Sequence, residues 1–348
     1  MLQPLHYGLK YHVFKTVEEV CVMSDGQNII WLMLLSILPL TAACANEEIA
    51  ATPKAIFIIV DGIPADVVEK ANTPNLDELS DVGGYTHAYV GGEDGGESES
   101  PTVSAVGYQS LITGTWSNKH NVYDNNADEP NYDYWDIFRI AKVHDASLQT
   151  AIFSTWEDNR TKLIGDGLSE AGGDKLDYHF DGFEHDTDRF RHDFLRNYIR
   201  QIDEFVANEA ARYILSDGPD LSWVYLEYTD DVGHGRGDSP EQISAVEWMD
   251  ELVGSIWQSV QARADSNNED WLIVVTTDHG RDPDTGKDHG GQSERERTIW
   301  IATNSRRLNA NFEKFPGIVD ILPSIATHLE LTIPPDIQAG LDGRSFID

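Results

Sequence analysis

"AIFIIVDG", residues 55–62, is an unbroken apolar run that ends in an aspartate and a glycine. A continuous run of this length, rich in isoleucine and valine, is typical of a parallel strand that is buried on both faces. Asp61 therefore stands directly after the strand, where open α/β sheets place their functional residues. A single aspartate there would more often form a turn or cap a helix, so its meaning depends on the rest of the chain.

Four further segments have a similar strand pattern, and helical periodicity lies between them. The predicted strands cover residues 55–60, 150–154, 223–228, 271–276 and 298–302. The longest predicted helices cover residues 190–214 and 242–262, and a shorter one begins after Thr73 with Pro74 at its first position. Strands that alternate with helices predict an α/β fold with a mostly parallel central sheet and helices on both faces.

The 348-residue chain is strongly acidic. It has 25 lysine and arginine residues against 60 aspartate and glutamate residues, which gives a formal net charge of −35. Binding to a nucleic-acid duplex needs clustered cations that neutralise phosphates, so this composition argues against such a partner. We interpret the acidity as that of a well-solvated surface.

The N-terminal part has the pattern of an export signal. Residues 29–40 are mostly apolar, a length that suits the core of a signal peptide and is short for a membrane span. The small residues around Cys44 suit cleavage, and Leu40-Thr-Ala-Ala-Cys44 also looks like a degenerate lipobox in which Cys44 would be lipidated and attach the protein to a membrane. The alternative is a buried N-terminal helix.

These patterns predict a signal peptide or lipoprotein leader over residues 1–45 and a single domain over residues 46–348, with room for a small cap within 125–220. The protein is then expected to be periplasmic, anchored to the outer membrane or secreted. Both cysteines, Cys21 and Cys44, lie in the leader, so the predicted domain has neither disulfide nor thiolate chemistry.

Three of the predicted strands are followed by an aspartate with further metal-binding side chains nearby. Asp61 follows the first, Asp230 and His234 follow the third, and Asp278 and His279 follow the fourth, with His289 ten positions beyond His279. Asp230 and His234 lie on one face if the turn between them is helical. Carboxylate and imidazole form the mixed ligand set of Zn²⁺ and similar ions, and six such groups suffice for two ions with positions open for substrate. We therefore predict a two-metal site.

A two-metal site of this kind needs a nucleophile. Residues 101–114 follow a glycine-rich loop and open a predicted helix, whose N-terminus favours an anion. Ser104 occupies that position, but Thr102 and Ser110 fit the pattern nearly as well. A structural role as a helix cap is an alternative for each. The residue pattern alone does not separate these three hydroxyls.

The chain resembles the alkaline phosphatase superfamily, and in particular its type I phosphodiesterase/nucleotide pyrophosphatase branch. The resemblance covers nearly all of residues 54–303. It rests on segments that match the family's motifs in order along the chain. In the N-terminal half these are Ile-Val-Asp61-Gly62, Ser104 nine positions before Thr113-Gly114, and the stretch from Gly114 to Asn125 with His120. In the C-terminal half they are Tyr225–Gly237, the helix over 242–262, Asp278-His279-Gly280 and His289. The spacing of Ser104 before Thr113 is that of the family's nucleophile.

This resemblance implies an alkaline phosphatase-like fold and a hydrolase of phosphate esters that holds two divalent ions, expected to be Zn²⁺. Asp61, Asp278 and His279 would bind one ion, in contact with Ser104, and Asp230, His234 and His289 would bind the other. Ser104 would attack phosphorus and form a phosphoseryl intermediate. The expected substrate is a small phosphate ester or nucleotide, with diesters or nucleotide pyrophosphates preferred over monoesters.

The chain departs from the branch at two positions. Ser104 stands where the branch usually has threonine, and Gly107 stands where it usually has an asparagine that helps to hold a phosphoryl oxygen. An alkaline phosphomonoesterase and a phosphotransferase that passes the group to a lipid or glycan hydroxyl therefore remain alternatives. A metal-stabilised binding protein without catalysis is a third.

Substrate contacts are predicted at the Gly107 position and at three cations near the ligands. Arg236, Arg281 and Lys287 stand beside ligand residues in a chain that is poor in cations, so each is a candidate for binding a substrate phosphate. The alternative for each cation is an ion pair with Asp282, Asp284 or Asp288.

Overall fold

The computed structural model describes residues 50–348 and shows, within them, a seven-stranded sheet. The strands are β1 (Thr52–Val60), β2 (Gly84–Tyr89), β3 (Thr150–Ser154), β4 (Tyr178–Phe180), β5 (Leu221–Leu226), β6 (Glu269–Thr276) and β7 (Thr298–Thr303). Their order in the sheet is β2-β7-β6-β1-β5-β3-β4. β7 pairs antiparallel with both β6 and β2, and the other pairings are parallel. The predicted mostly parallel sheet is confirmed.

The helices of the described residues connect these strands. They are α1 (Ala65–Val68), α2 (Pro74–Val82), α3 (Ser104–Thr113), α4 (Ser117–His120), α5 (Ile137–His144), α6 (Asn197–Ser216), α7 (Tyr228–Arg236), α8 (Pro240–Asn267), α9 (Glu294–Arg297), α10 (Ile321–His328) and α11 (Pro335–Gly340). A π-helical segment covers Asn159–Ile164, and 3₁₀ turns cover Phe183–His185 and Ile318–Asp320. The long α8 begins with Ser239, whose side chain accepts a hydrogen bond from the Gln242 N–H, as a helix cap does.

The central strand β1 is buried on both faces, and its side chains alternate between two apolar cores. Phe57 and Ile59 pack into one core with α3, α5 and α10, whereas Ile56 and Ile58 pack into the other with α6 and α8. This alternation follows from the two-residue period of a strand. It explains the unbroken apolar run in the sequence and places helices on both faces of the sheet, as predicted.

Two edge strands and one helix start differ from the sequence-based expectation. β2 and β4 were not predicted, because β2 exposes several of its side chains and β4 has only three residues. Neither therefore has the apolar run of a buried strand. The helix predicted over 190–214 begins at Asn197, since Phe190 is buried in a non-helical segment that precedes it.

The segment over 125–220, which had room for a small cap, supplies β3 and β4 to the central sheet. It also contains α5 and α6. Within residues 50–348, the longest helices are too polar to span a lipid bilayer. The leader predicted over residues 1–45 lies outside the described residues.

Candidate metal centre

Three neighbouring strands bring the predicted ligands to one edge of the sheet. β6, β1 and β5 lie side by side and run parallel, so the residues that follow them meet at the same edge. Asp61 directly follows β1, Asp278 follows β6 by two positions, and α7 begins two positions after β5. Gly62 turns the chain after Asp61 with a φ of +64°, and a Cβ there would collide with the Asp230 carboxylate.

Asp230, His234 and His289 form one group whose ligand atoms lie within 4.8 Å of one another. Asp230 and His234 are one turn apart on α7, with 3.2 Å between Oδ2 and Nε2, as the predicted helical spacing requires. His289 comes from the loop after β6, and its Nε2 lies 3.1 Å from the Nε2 of His234. Two imidazoles and a carboxylate thus converge on one point, a fit to a divalent ion.

Asp61, Asp278 and His279 form the second group, also with ligand atoms within 4.8 Å, and all three are buried. His279 Nε2 lies 3.4 Å from Asp61 Oδ1 and 3.2 Å from Asp278 Oδ2. Both of these carboxylate oxygens are buried without a hydrogen-bond donor among the described residues. A buried charged oxygen without a partner is costly, and a cation between them would remove that cost. The donor set therefore fits a second ion.

The two groups adjoin each other through the histidine rings. His279 and His289 stack with their ring centroids 3.7 Å apart and an angle of 13° between the planes. Asp230 Oδ1 lies 3.9 Å from His279 Nε2 and 4.0 Å from His289 Nε2. The protein therefore offers two adjacent ligand groups rather than two separate sites.

Hydrogen bonds from surrounding residues orient the ligands. Asp61 Oδ2 accepts hydrogen bonds from the buried hydroxyls of Tyr108 and Tyr225, which leaves Oδ1 for the centre. The Nδ1 of His279 lies 2.8 Å from the Gly280 carbonyl. The Nδ1 of His289 lies 2.9 Å from the Thr102 carbonyl. Because each Nδ1–H donates to a backbone oxygen, each Nε2 is left with a lone pair that faces the centre.

The pKa values of the carboxylates reflect burial and crowding. Burial raises the pKa of Asp61, and the negative charges of Asp278 and Asp230 raise it further. Burial likewise raises the pKa of Asp278 to about 7. Burial also acts on Asp230, but the hydrogen bond with His234 and the positive charge of Arg281 hold its pKa below the ordinary value. Three carboxylates in one buried place repel one another, and a divalent ion relieves that repulsion.

The pKa shifts of the three histidines differ between the buried and the exposed side of the centre. Burial lowers the pKa of His279 and of His289, so both rings are neutral at pH 7 and available as ligands. The hydrogen bond to Asp230 raises the pKa of His234, which is the most exposed of the three. At this outer position a metal ion would compete with a proton for the ring.

Of the three candidate hydroxyls, Ser104 is the one whose hydroxyl touches a ligand group. Its Oγ lies 3.3 Å from His279 Nε2, at the first residue of α3. The Thr102 hydroxyl instead donates to the Gly291 carbonyl at 2.9 Å. The Ser110 hydroxyl donates to the Val106 carbonyl at 2.7 Å. The geometry thus joins Ser104 to the centre and places the other two hydroxyls in structural contacts.

Arg281 and Gly107 contact the ligands themselves. The Arg281 guanidinium is 1% exposed, and it donates to the Asp230 carboxylate and, at 3.0 Å, to the Gly62 carbonyl. Its partner is therefore a ligand carboxylate and none of the three acidic residues considered from the sequence. At Gly107 an added Cβ would lie 2.6 Å from the Asp278 carbonyl oxygen, so the missing side chain lets α3 approach the strand end. Contact of either residue with substrate stays a prediction.

Arg236 and Lys287 lie on the exposed side of the centre. Arg236 is in the last turn of α7, two positions after His234, and is exposed. Within residues 50–348 its guanidinium has no hydrogen bond or ion pair. Lys287 is exposed in the loop before His289, where its backbone N–H donates to Asp282. Both cations are free to meet a substrate, which stays a prediction for each.

Asn125 is a site residue that the pattern of ligands and hydroxyls did not single out. Its Oδ1 accepts a hydrogen bond of 3.0 Å from the N–H of Ala105, directly after Ser104. The loop that carries Asn125 lacks periodicity, so local pattern gave no signal, although Asn125 ends a stretch that carries the family resemblance. His120, in the same stretch, is buried, and burial lowers its pKa to about 3. It bonds to Ser110 and Val122 and lies outside the centre.

A sequence model of the type I phosphodiesterase/nucleotide pyrophosphatase family matches residues 55–296. The match covers more than half of the chain and includes all six ligand candidates and Ser104. The chain belongs to the type I phosphodiesterase/nucleotide pyrophosphatase family. It is therefore a member of a family of phosphoric ester hydrolases, and it carries Asp/His groups suited to metal ions. No curated protein sequence matches the chain.

Several solved structures share the fold of this chain. Human ectonucleotide pyrophosphatase/phosphodiesterase 5 has a TM-score of 0.55 at 14% identity, over 81% of this chain and 96% of that one. The phosphonate monoester hydrolase of Agrobacterium radiobacter has a TM-score of 0.59 at 15% identity, over 84% and 76%. A putative sulfatase from Bacteroides fragilis has a TM-score of 0.54 at 15% identity, over 84% and 77%. These likenesses concern the fold, and they confirm the predicted alkaline phosphatase-like architecture.

Proposed function

We propose that this family member hydrolyses phosphodiesters or nucleotide pyrophosphates with two divalent metal ions, through a phosphoseryl intermediate. The observation that supports the proposal is the position of Ser104 Oγ, 3.3 Å from His279 Nε2, beside two adjacent groups of Asp and His ligands. Asp61, Asp278 and His279 would hold one ion, and Asp230, His234 and His289 the other. Zn²⁺ suits this mixture of nitrogen and oxygen donors.

When bound, the two ions would offset the charge of the carboxylates, lower the pKa of a nearby hydroxyl and stabilise negative charge on a departing oxygen. In the first half-reaction, the bond from Ser104 Oγ to phosphorus forms as the bond from phosphorus to the ester oxygen breaks. The proton of Ser104 is transferred in the process, and the departing alcohol leaves protonated. Water then cleaves the Ser104 ester, which returns the serine and releases the phosphorylated product.

The N-terminus of α3 favours this chemistry. Ser104 is the first residue of a ten-residue helix, where unpaired backbone N–H groups and the helix dipole favour an anion. The bond from the Ala105 N–H to Asn125 Oδ1 directs the asparagine to this helix end. We infer that the Asn125 amide nitrogen donates to a phosphoryl oxygen. The family resemblance implied this role for an asparagine at the position of Gly107.

The preference for diesters rests on charge. A diester carries one negative charge fewer than a monoester dianion, so it needs less help from cations at the non-bridging oxygens. Arg281, a buried cation at the centre, is already bound to Asp230. The murine ectonucleotide pyrophosphatase/phosphodiesterase 5, 15% identical with a TM-score of 0.54 over 81% of this chain and 96% of that one, has been solved as an inactive variant with AMP, which supports a nucleotide as the substrate. An alkaline phosphomonoesterase and a phosphotransferase that uses a lipid or glycan hydroxyl are the alternatives.

A panel of esters assayed with defined metals tests the proposal. We expect kcat/KM for bis-p-nitrophenyl phosphate to exceed that for p-nitrophenyl phosphate about tenfold, a difference of about 1.4 kcal/mol. A monoester value more than tenfold above the diester value would assign the chain to the phosphomonoesterases. An acceptor alcohol is then added to the assay. If nitrophenol is released but no phosphate product is released to water, the chain is a phosphotransferase.

We also propose that the protein is exported, on the basis of the apolar run and the Ala-Ala-Cys-Ala sequence that follows it. Cys44 would then be either lipidated or removed with the leader. An exported hydrolase would meet its substrate outside the cytoplasm, where nucleotides and other phosphate esters reach it as small molecules.

A further inference from the structure

A cavity of about 920 Å³ opens to solvent where β2 ends and β7 begins. Its wall contains Tyr89, the last residue of β2, and Thr298, the first residue of β7. Its size is that of a site for a small organic ligand. Neither Ser104 nor any of the six candidate metal ligands lines it, so the metal centre does not account for this cavity.

Stacked aromatic rings form one wall of the cavity. Phe315 stacks on Tyr89 with ring centroids 5.7 Å apart and planes at 18°, and Tyr89 stacks on Trp116 at 5.6 Å and 30°. Trp116 is only 5% exposed, whereas Phe315 is 46% exposed. The three rings are therefore nearly parallel, and the stack ends at an exposed ring that can accept a further planar group.

The remaining wall of the cavity is acidic. Four carboxylates line it, those of Glu93, Asp94, Glu294 and Asp342. Asp342 is paired with Lys119 at 2.5 Å, whereas the other three carboxylates have no hydrogen bond or ion pair within residues 50–348. Unpaired charges of one sign around one cavity repel one another, and a cationic ligand would relieve that repulsion.

The single arginine of the wall, Arg297, is bound to the loop after β2. Its guanidinium donates to the Gly91 carbonyl at 3.0 Å, to the Gly92 carbonyl at 2.5 Å and to the side-chain oxygen of Gln292. Within residues 50–348 it forms no ion pair. Arg297 therefore fixes the loop and leaves the carboxylates of the wall to a ligand.

The shape of the wall favours a planar cation. A quaternary ammonium group is held best by several rings that surround it, but the rings of this cavity lie parallel in one stack. A guanidinium group is flat, so it stacks on an aromatic face, and its N–H groups donate to carboxylates in a fixed fork. Stack and carboxylates together thus suit a guanidinium group.

We propose that this cavity binds a guanidinium group, which stacks on Phe315 and pairs with carboxylates among Glu93, Asp94 and Glu294. An alkylguanidine and the arginine side chain of a peptide carry this same group. The site is separate from the metal centre, and the proposal does not depend on the proposed hydrolysis.

Three probes with the same alkyl chain separate shape from charge. Butylguanidinium is a planar cation, butyltrimethylammonium is a cation without a planar head, and butylurea is planar and neutral. Saturation-transfer NMR titrations of the metal-loaded protein give the Kd of each. We expect butylguanidinium to bind at least about fivefold more tightly than either of the others, because it alone combines stacking with a forked ion pair.

Substitutions at Phe315 test the stacking contact. Phe315→Ala should weaken butylguanidinium binding about fivefold, and Phe315→Tyr, which keeps a ring, should leave it within about twofold of the wild type. Tyr123 is similarly exposed, at 47%, and lies outside the cavity lining, so Tyr123→Ala is the control and should have no effect. Unchanged binding in Phe315→Ala would overturn the proposal.

A pair of double variants tests the carboxylates at constant net charge. Glu93→Gln/Glu294→Gln should weaken butylguanidinium binding about fivefold. Glu204→Gln/Glu251→Gln makes the same change of charge on α6 and α8, outside the cavity lining, and should alter Kd less than about twofold. Equal weakening in both double variants would reduce the attraction to that of an acidic surface and overturn the site. Equal affinity for butylguanidinium and butyltrimethylammonium would do the same.

A peptide probe distinguishes the two sources of the group. Acetyl-Gly-Arg-Gly-amide is compared with its citrulline counterpart, in which the guanidinium is replaced by a neutral urea. Binding of the arginine peptide more tightly than butylguanidinium would support a peptide ligand. Binding of butylguanidinium without the peptide would support a small guanidine. Absence of saturable binding of both, up to about 10 mM, would overturn the proposal.

Discussion

At the scale of one residue, the contacts of Asp61 suit the candidate centre to a cation. Two tyrosine hydroxyls, from Tyr108 and Tyr225, occupy its Oδ2, while its Oδ1 is buried without a donor among the described residues. Burial and the neighbouring carboxylates raise its pKa. A fold that desolvates a carboxylate and leaves one of its oxygens unpaired incurs a free-energy cost, and a bound ion would offset that cost.

Substitution of Ser104 tests the nucleophile. Ser104→Ala should lower kcat/KM for a diester at least about 10³-fold, because the attacking hydroxyl is removed. The metal content should stay nearly unchanged, because the six Asp and His ligands remain. The measurements are steady-state kinetics and elemental analysis of the same preparation.

Two neighbouring hydroxyls serve as controls for Ser104. Ser110→Ala alters the same helix but a hydroxyl that bonds to the Val106 carbonyl, so activity should stay within a few-fold of the wild type. Thr102→Ala removes two hydrogen bonds to the loop that carries His289, one with the Gly291 carbonyl and one with the Gly290 N–H. Full activity in Ser104→Ala, together with its loss in Thr102→Ala, would transfer the role of nucleophile to Thr102.

At the scale of elements, the helix α7 depends on a buried carboxylate of α6. Asp203 accepts hydrogen bonds from the backbone N–H groups of Glu227 and Tyr228, at 3.0 and 2.8 Å, and from the Thr155 hydroxyl at 2.6 Å. It thereby satisfies donors at the start of the helix that carries two of the candidate metal ligands. Burial nevertheless dominates and raises the pKa of Asp203 to about 7.

This raised pKa predicts a pH dependence of stability. Between about pH 4 and pH 7 the folded protein holds a proton on Asp203 that the unfolded chain has lost, so this group contributes less stability as the pH rises. The difference in free energy of unfolding between the wild type and Asp203→Asn should therefore fall by about 1.4 kcal/mol per pH unit in this window. Urea denaturation of the metal-free proteins at pH 4.5, 5.5 and 6.5 measures it. A difference that grows with pH would show that the three donors, rather than burial, control Asp203.

At the scale of the whole molecule, the centre ties together chain segments that are distant in sequence. Asp61 belongs to the first strand, Asp230 to a helix more than 160 positions later, and Asp278 to the loop after β6. An ion that binds the folded chain and not the unfolded one adds its binding free energy to the stability of the entire domain. Metal removal should therefore affect folding as well as activity.

Chelation tests this coupling. Treatment with EDTA should abolish diester hydrolysis, and Zn²⁺ should restore it. At a free Zn²⁺ concentration 1,000 times Kd, each ion should add about 4 kcal/mol, which corresponds to a Tm increase on the order of 10 °C. Because the pKa of Asp278 is raised to about 7, protons compete with the ion at lower pH, so this increase should shrink as the pH falls below 7. Full activity of chelated protein that contains no divalent ion would contradict the two-metal proposal.

The predicted leader leads to a prediction about the N-terminus of the mature protein. Mass spectrometry of the protein from its native cells should show an N-terminus at Cys44, carrying a lipid mass, or at Asn46, after cleavage behind Ala45. Cys44→Ser should remove the lipid mass in the first case and should not affect processing in the second. A full-length N-terminus in the cytoplasmic fraction would show that the protein is not exported.

The sequence by itself predicted five of the seven strands, the candidate ligands and the family. An apolar run such as residues 55–60 identifies a buried strand because both of its faces must be covered, and Asp61 after it marks the strand end. The spacing of Asp230 and His234 also fixed their common face on α7, because a helical turn places residues four apart side by side. β2 and β4 escaped prediction because edge strands lack that continuous apolar signal.

Only the tertiary structure decided which side chains face the centre. Thr102, Ser104 and Ser110 have the same chemistry and lie within one short segment, so their residue pattern alone left the choice open. The family spacing favoured Ser104, and the distance from Ser104 Oγ to His279 Nε2 is the physical contact that distinguishes it. The contacts of Arg281 with Asp230 and of Asn125 with the Ala105 N–H likewise join residues far apart in sequence. Such contacts depend on how strands and loops pack in space, and side-chain pairing across that distance leaves no periodic signal in a single sequence.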